Sequence, residues 1–69
     1  MYRVGDWVKV YGQKVEIDDL RINENTHEVE LIYLDECIVV PSPLYTRDWC
    51  YPNEVQEYYP NEERKEILH

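Results

Sequence analysis

The stretch Val4-Gly5-Asp6-Trp7-Val8-Lys9-Val10-Tyr11-Gly12 decides the fold class of this 69-residue chain. From Trp7 to Tyr11 the side chains alternate in character, so a pleated strand puts Val8 and Val10 on one face and Trp7, Lys9 and Tyr11 on the other. The aliphatic pair is expected to face a core. Gly5-Asp6 before the strand and Gly12-Gln13 after it supply turn chemistry, because glycine takes positive φ and aspartate bonds its own backbone.

Past the first turn, Lys14-Val15-Glu16-Ile17 alternates again and reads as a second strand paired with the first. Asp18-Asp19 and Asn23-Glu24-Asn25 read as polar turns, with Leu20 and Ile22 as apolar positions between them. His27 to Leu34 is the longest strand-like run, with Val29, Leu31 and Tyr33 on one side and Glu28, Glu30 and Ile32 on the other. From Leu31 to Leu34 it is apolar on both faces, the pattern of a strand entering the middle of a small barrel. Asp35-Glu36 reads as another turn, and Cys37-Ile38-Val39-Val40 as a compact strand that Pro41-Ser42-Pro43 stops, since proline brings no amide hydrogen to a ladder.

A loop from Leu44 to Asp48 leads into the short strand Trp49-Cys50-Tyr51, whose two aromatics share a face while the thiol points inward. Pro52-Asn53-Glu54-Val55 reads as a single helical turn: proline suits the first turn, and an acidic residue complements a helix N-terminus. Tyr58, Tyr59 and Pro60 close the body, and Asn61 is placed to cap a short terminal helix. The pieces predict an all-β, mainly antiparallel domain over residues 1–60, a small barrel of about five short strands with one helical turn near its end. Residues 61–69 read as a polar tail.

The opening, a hydrophobic residue followed by Gly5-Asp6 and an alternating strand, is similar to the first strand of SH3-like small barrels, including Tudor and KOW-type modules. The late strand followed by Pro52-Asn53-Glu54-Val55 resembles the end of such a barrel, where one helical turn separates the last two strands. Gly5-Asp6-Trp7-Val8, together with Trp49, Tyr51 and Pro52-Asn53-Glu54-Val55, also resembles the ends of small uncharacterised proteins carried by bacterial phages and other mobile elements. The resemblance implies a fold and a genomic setting, and no activity.

Fifteen acidic against seven basic residues give a net charge of −8. That argues against a generic nucleic-acid binder, whose affinity comes mainly from lysine and arginine neutralising phosphates. The charge suits solubility, a cationic partner, or a surface that imitates nucleic acid. A chain this short buries only about 60% of the surface its unfolded form exposes, so its stability is thin. Met1-Tyr2-Arg3 leads straight into the first strand without a signal peptide, and no apolar run nears the roughly 18 residues of a membrane span. A soluble, cytoplasmic protein with no membrane partner is expected. Cys37 and Cys50 can pair, but two cysteines without a secretory signal favour separate buried thiols.

No metal site is expected, because Cys37, Cys50 and His27 lack the close spacing that converging ligands show, and the terminal His69 is set aside as tag-like. Ser42, the only serine, lies between two prolines, and the adjacent acids of Asp18-Asp19 and Asp35-Glu36 point to opposite faces of an extended chain. With glycine only at positions 5 and 12 there is no phosphate-cradling loop. The chain reads as a non-enzyme without a cofactor.

Two Trp and seven Tyr with no Phe is an unusual choice, since these rings combine an apolar body with a polar tip that can stay wet. Should the first and last strands be neighbours, Trp7, Tyr11, Tyr45, Trp49 and Tyr51 make a candidate ligand-binding face, with Asp6 and Asp48 beside the two tryptophans as acidic partners. Such a face suits an arginine, lysine or methylated amine, or a proline-rich peptide. The competing reading is that the rings cap the open ends of a tiny barrel. The leading expectation is a protein-interaction module that binds a basic or proline-containing segment of another protein, with no direct nucleic-acid contact. The alternatives are an acidic, nucleic-acid-mimicking inhibitor or decoy of a host protein, and a structural subunit that dimerises through a sheet edge such as Cys37 to Val40.

Overall fold

A computed structural model describes residues 2–61, which form five antiparallel strands and one short 3₁₀ turn. In chain order these are β1 (Trp7–Val10), β2 (Gln13–Ile22), β3 (Val29–Pro41), β4 (Leu44–Cys50), the 3₁₀ turn Pro52–Glu54, and β5 (Val55–Tyr59). All five lie in one sheet of order β4-β3-β2-β1-β5. The all-β plan and the helical turn near the C-terminal end agree with the sequence reading; β1 lies beside β5, whereas β4, which carries Trp49, forms the other edge of the sheet.

The core follows from strand alternation. Val8 and Val10 of β1 are fully buried, and they cluster with Val15 and Ile17 of β2, Ile32, Leu34, Ile38 and Val40 of β3, and Cys50 of β4. Val55 and Tyr58 of β5 pack against the same cluster that holds Cys50 of β4, so the two ends of the strand order share it and the sheet bends around it. Register shifts supply the bends. Along β2 the step from Ile17 to Asp19 faces the single step from Leu34 to Tyr33, which makes Asp18 a bulge residue. Along β3, residues 34–37 lie opposite the lone Asp48 of β4, between the pairs Tyr33–Trp49 and Ile38–Arg47.

These shifts correct two expectations. Asp18-Asp19 and Asp35-Glu36 are not turns; they lie inside β2 and β3, exposed, at the places where the ladder is irregular. A third correction concerns Leu44 to Asp48, which is strand rather than loop, joined to β3 by a tight turn at Ser42-Pro43, whose peptide is cis. The segment Cys37 to Val40 is consequently no edge, because β3 lies between β2 and β4; the edges are β4 and β5. Cys37 and Cys50 are both free, and Cys37 is exposed rather than buried.

The β1–β2 hairpin turns on Tyr11 and Gly12, one residue earlier than the Gly12-Gln13 of the sequence reading. Both take positive φ, 48° and 78°, as a two-residue turn matched to strand twist demands. The turn is tied down on both sides. Gln13 extends its amide to the β3 backbone, accepting from Val39 N at 2.9 Å and donating to Val39 O at 3.0 Å, and Gly12 N donates to Gln56 Oε1 at 2.6 Å. The β2–β3 turn begins at Asn23 as expected, with the Asn23 side-chain oxygen accepting from Asn25 N and Thr26 N. The helix foreseen in the tail falls on residues 62–69, outside the described ones. Asn61 itself donates from its side chain to Gly5 O at 3.1 Å and from its backbone to Asp6 Oδ1 at 2.9 Å.

Candidate functional site

Strand alternation along β4 puts Tyr45, Arg47 and Trp49 in one row, and Tyr51 continues it past the strand end. Arg47 is the buried member, only 9% exposed. Its guanidinium carbon lies 4.4 Å from the Trp49 ring centroid and 5.7 Å from that of Tyr45, both within reach of a cation–π contact. Trp49 in turn meets Tyr51 edge to face at 5.3 Å.

The counter-charge comes from the helical turn. Pro52 sets the first turn of Pro52–Glu54 and brings Glu54 back toward the strand end, where Glu54 Oε1 accepts from Tyr51 N at 2.8 Å. Arg47 donates to both carboxylate oxygens, Nη1 to Oε1 at 2.9 Å and Nη2 to Oε2 at 2.6 Å. Two further donations, from Nε to the Tyr45 hydroxyl at 3.0 Å and from Nη1 to Trp49 O at 2.8 Å, use all but one of the five N–H groups a guanidinium carries. Tyr11 reaches the same carboxylate from the β1–β2 turn, donating from its hydroxyl to Glu54 Oε2 at 2.5 Å. The Arg47 guanidinium, helped by the Tyr11 hydroxyl and the Tyr51 amide, holds the Glu54 carboxyl down at about 2, against burial. The same contact with Glu54 raises Arg47 above its ordinary value and Tyr11 above that of a free phenol.

Four of the five expected aromatics, Tyr11, Tyr45, Trp49 and Tyr51, are therefore gathered around one buried ion pair. Tyr11, Tyr45 and Tyr51 keep exposed outer faces, at 39%, 43% and 50%. Trp7 is elsewhere. It sits across β1 from Tyr59, with the Lys14 ammonium 5.7 Å from its ring and 4.5 Å from that of Tyr59. No ring contact joins it to the other four among the described residues.

Of the two expected acidic partners, Asp6 is buried and Asp48 is exposed. Asp6 is fully buried and structural: Tyr58 donates its hydroxyl to Oδ2, and Asn61 N donates to Oδ1. Tyr58 also meets Tyr2 edge to face at 5.2 Å, so Asp6 pins the start of β1 to the end of β5. Asp48 is exposed and makes no ion pair with Arg47. The acid of the site is Glu54, and its partner Arg47 also escaped the sequence reading. The available signal was the alternation Tyr45, Arg47, Trp49, Tyr51, hidden once Leu44 to Asp48 is taken as a loop.

Among the described residues no group of three or more His, Cys, Asp or Glu is placed to hold a metal ion, and no helix is long and apolar enough to cross a membrane. The Cys50 thiol is fully buried in the core and pushed up to about 11 by that burial, the opposite of an activated nucleophile. No protein-family model, curated protein or solved structure matches the chain.

Proposed function

We propose that this chain is an SH3-like protein-interaction module whose binding surface is the face formed by Tyr11, Tyr45, Trp49 and Tyr51, and that its ligand is a basic or proline-containing segment of another protein. The observation that carries this reading is the exposure of three tyrosines around an Arg47–Glu54 pair that is largely shielded from solvent and joined by two hydrogen bonds. A ring held by its hydroxyl or by a neighbouring ring loses little freedom on binding, and tyrosine gives a large contact area with a hydrogen-bonding tip. The strand order, with β1 beside β5 and a helical turn between β4 and β5, supports the SH3-like assignment.

The test is a titration followed by NMR at the indoles of Trp7 and Trp49 and the rings of Tyr45 and Tyr51. The additions are a proline-rich peptide, a lysine-rich peptide and a short DNA duplex. Movement of Trp49, Tyr45 and Tyr51 with a peptide and not with DNA is the expected result. Shifts confined to Trp7, or no shifts with either peptide, would remove the face from consideration.

A second reading, the acidic decoy, draws support from the β2–β3 hairpin, where Asp18, Asp19, Glu24, Glu28, Asp35 and Glu36 are all exposed. Its mark is an affinity for basic proteins that falls steeply with salt and survives replacement of Tyr45 and Tyr51 by serine.

A further inference from the structure

The slot between Tyr45 and Trp49 has the chemistry of a cation receptor. It offers two aromatic faces, a carboxylate presenting both oxygens, a backbone carbonyl and a hydroxyl oxygen, all within reach of one planar cation. Arg47 already fills it. The geometry points to a guanidinium seat whose ligand is built into the chain: in the native protein Arg47 closes the Tyr45–Trp49–Glu54 slot to arginine and methylated amines, and emptying it opens a site for an external guanidinium.

The shape of the slot favours guanidinium over ammonium. Two roughly parallel N–H donations meet the two oxygens of Glu54, while a third and fourth leave in other directions toward Tyr45 and Trp49 O. A point-like ammonium has three donors and no plane to lay against the Trp49 ring. An external arginine must displace a guanidinium already making four hydrogen bonds, and it gains nothing that Arg47 does not have.

This deepens the proposed function, on which its second half rests, by separating the two ligand classes. With the cation seat occupied, what the face offers a partner is the outer surfaces of Tyr11, Tyr45 and Tyr51. The Tyr45 oxygen accepts from Arg47 Nε, so its own hydrogen is directed away from Arg47 and can donate to a carbonyl. A proline-containing segment, with flat apolar rings and acceptor carbonyls, fits that surface; an arginine side chain inserted between Tyr45 and Trp49 does not.

The experiment titrates methylguanidinium into the wild type, Arg47→Ala and the double variant Arg47→Ala/Glu54→Gln, followed by NMR at the Trp49 indole and the Tyr45 and Tyr51 rings. Methylammonium is the control. The single variant is expected to bind methylguanidinium saturably at Trp49, at least about tenfold more tightly than the wild type or the double variant, and more tightly than it binds methylammonium. If Arg47→Ala is unfolded alone, recovery of a dispersed spectrum on adding methylguanidinium counts as the same result, and Arg47→Gln, which keeps part of the side-chain volume, is titrated beside it. A folded single variant that shows no saturable shift at Trp49 overturns the inference. So does a wild type that binds methylguanidinium at Trp49 as well as the variant. Failure of the proposed function has a different signature, in which no peptide moves Tyr45 or Tyr51 of the wild type while the methylguanidinium result stands.

Discussion

At the scale of single residues, Glu54 gathers more of the site than any other side chain, because it holds Arg47, Tyr11 and the Tyr51 amide at once. Removing its charge leaves a buried guanidinium without a counter-ion. Glu54→Gln is expected to cost about 1–2 kcal/mol at pH 7, the range for hydrogen bonds to charged groups after allowance for solvent at the rim. The pH dependence follows from the lowered carboxyl. Its folded value of about 2 lies below the ordinary 4.5, so the stabilisation is complete above the unfolded value and is lost as pH falls through the folded one. Urea denaturation of wild type and variant between pH 7 and pH 2 should show curves that converge across that window. A constant gap would mean that the carboxylate charge is not what the variant removed. The cysteines give a second check: iodoacetamide should modify exposed Cys37 in the native protein and Cys50 only on unfolding, and equal native rates would contradict the burial of Cys50.

At the scale of elements, the β1–β2 turn connects the aromatic face to the rest of the sheet. Gly12 has nothing within 4 Å of the position a Cβ would take, so the cost of Gly12→Ala comes from its φ of 78° alone, about 1 kcal/mol. Gln13→Ala removes both side-chain bonds to the Val39 backbone and should cost about 1–3 kcal/mol, with faster amide exchange at Val39 as its local signature. Unchanged exchange at Val39 would show that water replaces the glutamine without loss.

The elements also show what was legible in the sequence. Alternation located Val8, Val10 and the inward Cys50, because burial on one face of a pleat leaves a period of two. Pro52-Asn53-Glu54 was legible because proline and a first-turn acid are local signals. Asp18-Asp19 and Asp35-Glu36 misled because a bulge and a turn both tolerate exposed polar residues, and only the partner strand decides between them. The Arg47–Glu54 pair was illegible for the same reason. It spans a strand end and a helical turn, and no local pattern shows which carboxylate an arginine will meet. Asp6 looked like a surface acid beside Trp7, and its burial depends on Tyr58 and Asn61, which lie at the far end of the chain.

At the scale of the whole molecule, a chain of 69 residues has a total stability of about 3–10 kcal/mol at the usual per-residue value. Among the described residues the core is one small cluster, so each large member matters. Ile32 is fully buried in it, and Ile32→Ala is expected to cost about 2–5 kcal/mol. That is enough to bring the domain close to its unfolding threshold, which a thermal melt monitored by near-ultraviolet circular dichroism will show as a fall in Tm. A loss below about 1 kcal/mol would mean that the cluster repacks around the cavity. The net charge of −8 surrounds a site whose one buried cation is internally neutralised, so the face itself presents rings and hydroxyls rather than charge.

Arg47 is seated between Tyr45 and Trp49 against Glu54, and the exposed tyrosines around it form the proposed binding face. The most direct measurement is the Arg47 Nε–H resonance of the ¹⁵N-labelled chain at pH 7, recorded alone and with a proline-rich or an arginine-bearing peptide. A ring-shifted, slowly exchanging signal that stays in place while the Tyr45 and Tyr51 rings respond to the proline-rich peptide is the predicted result. A signal at the position of a free arginine, broadened by exchange with water or displaced by the arginine-bearing peptide, would contradict it.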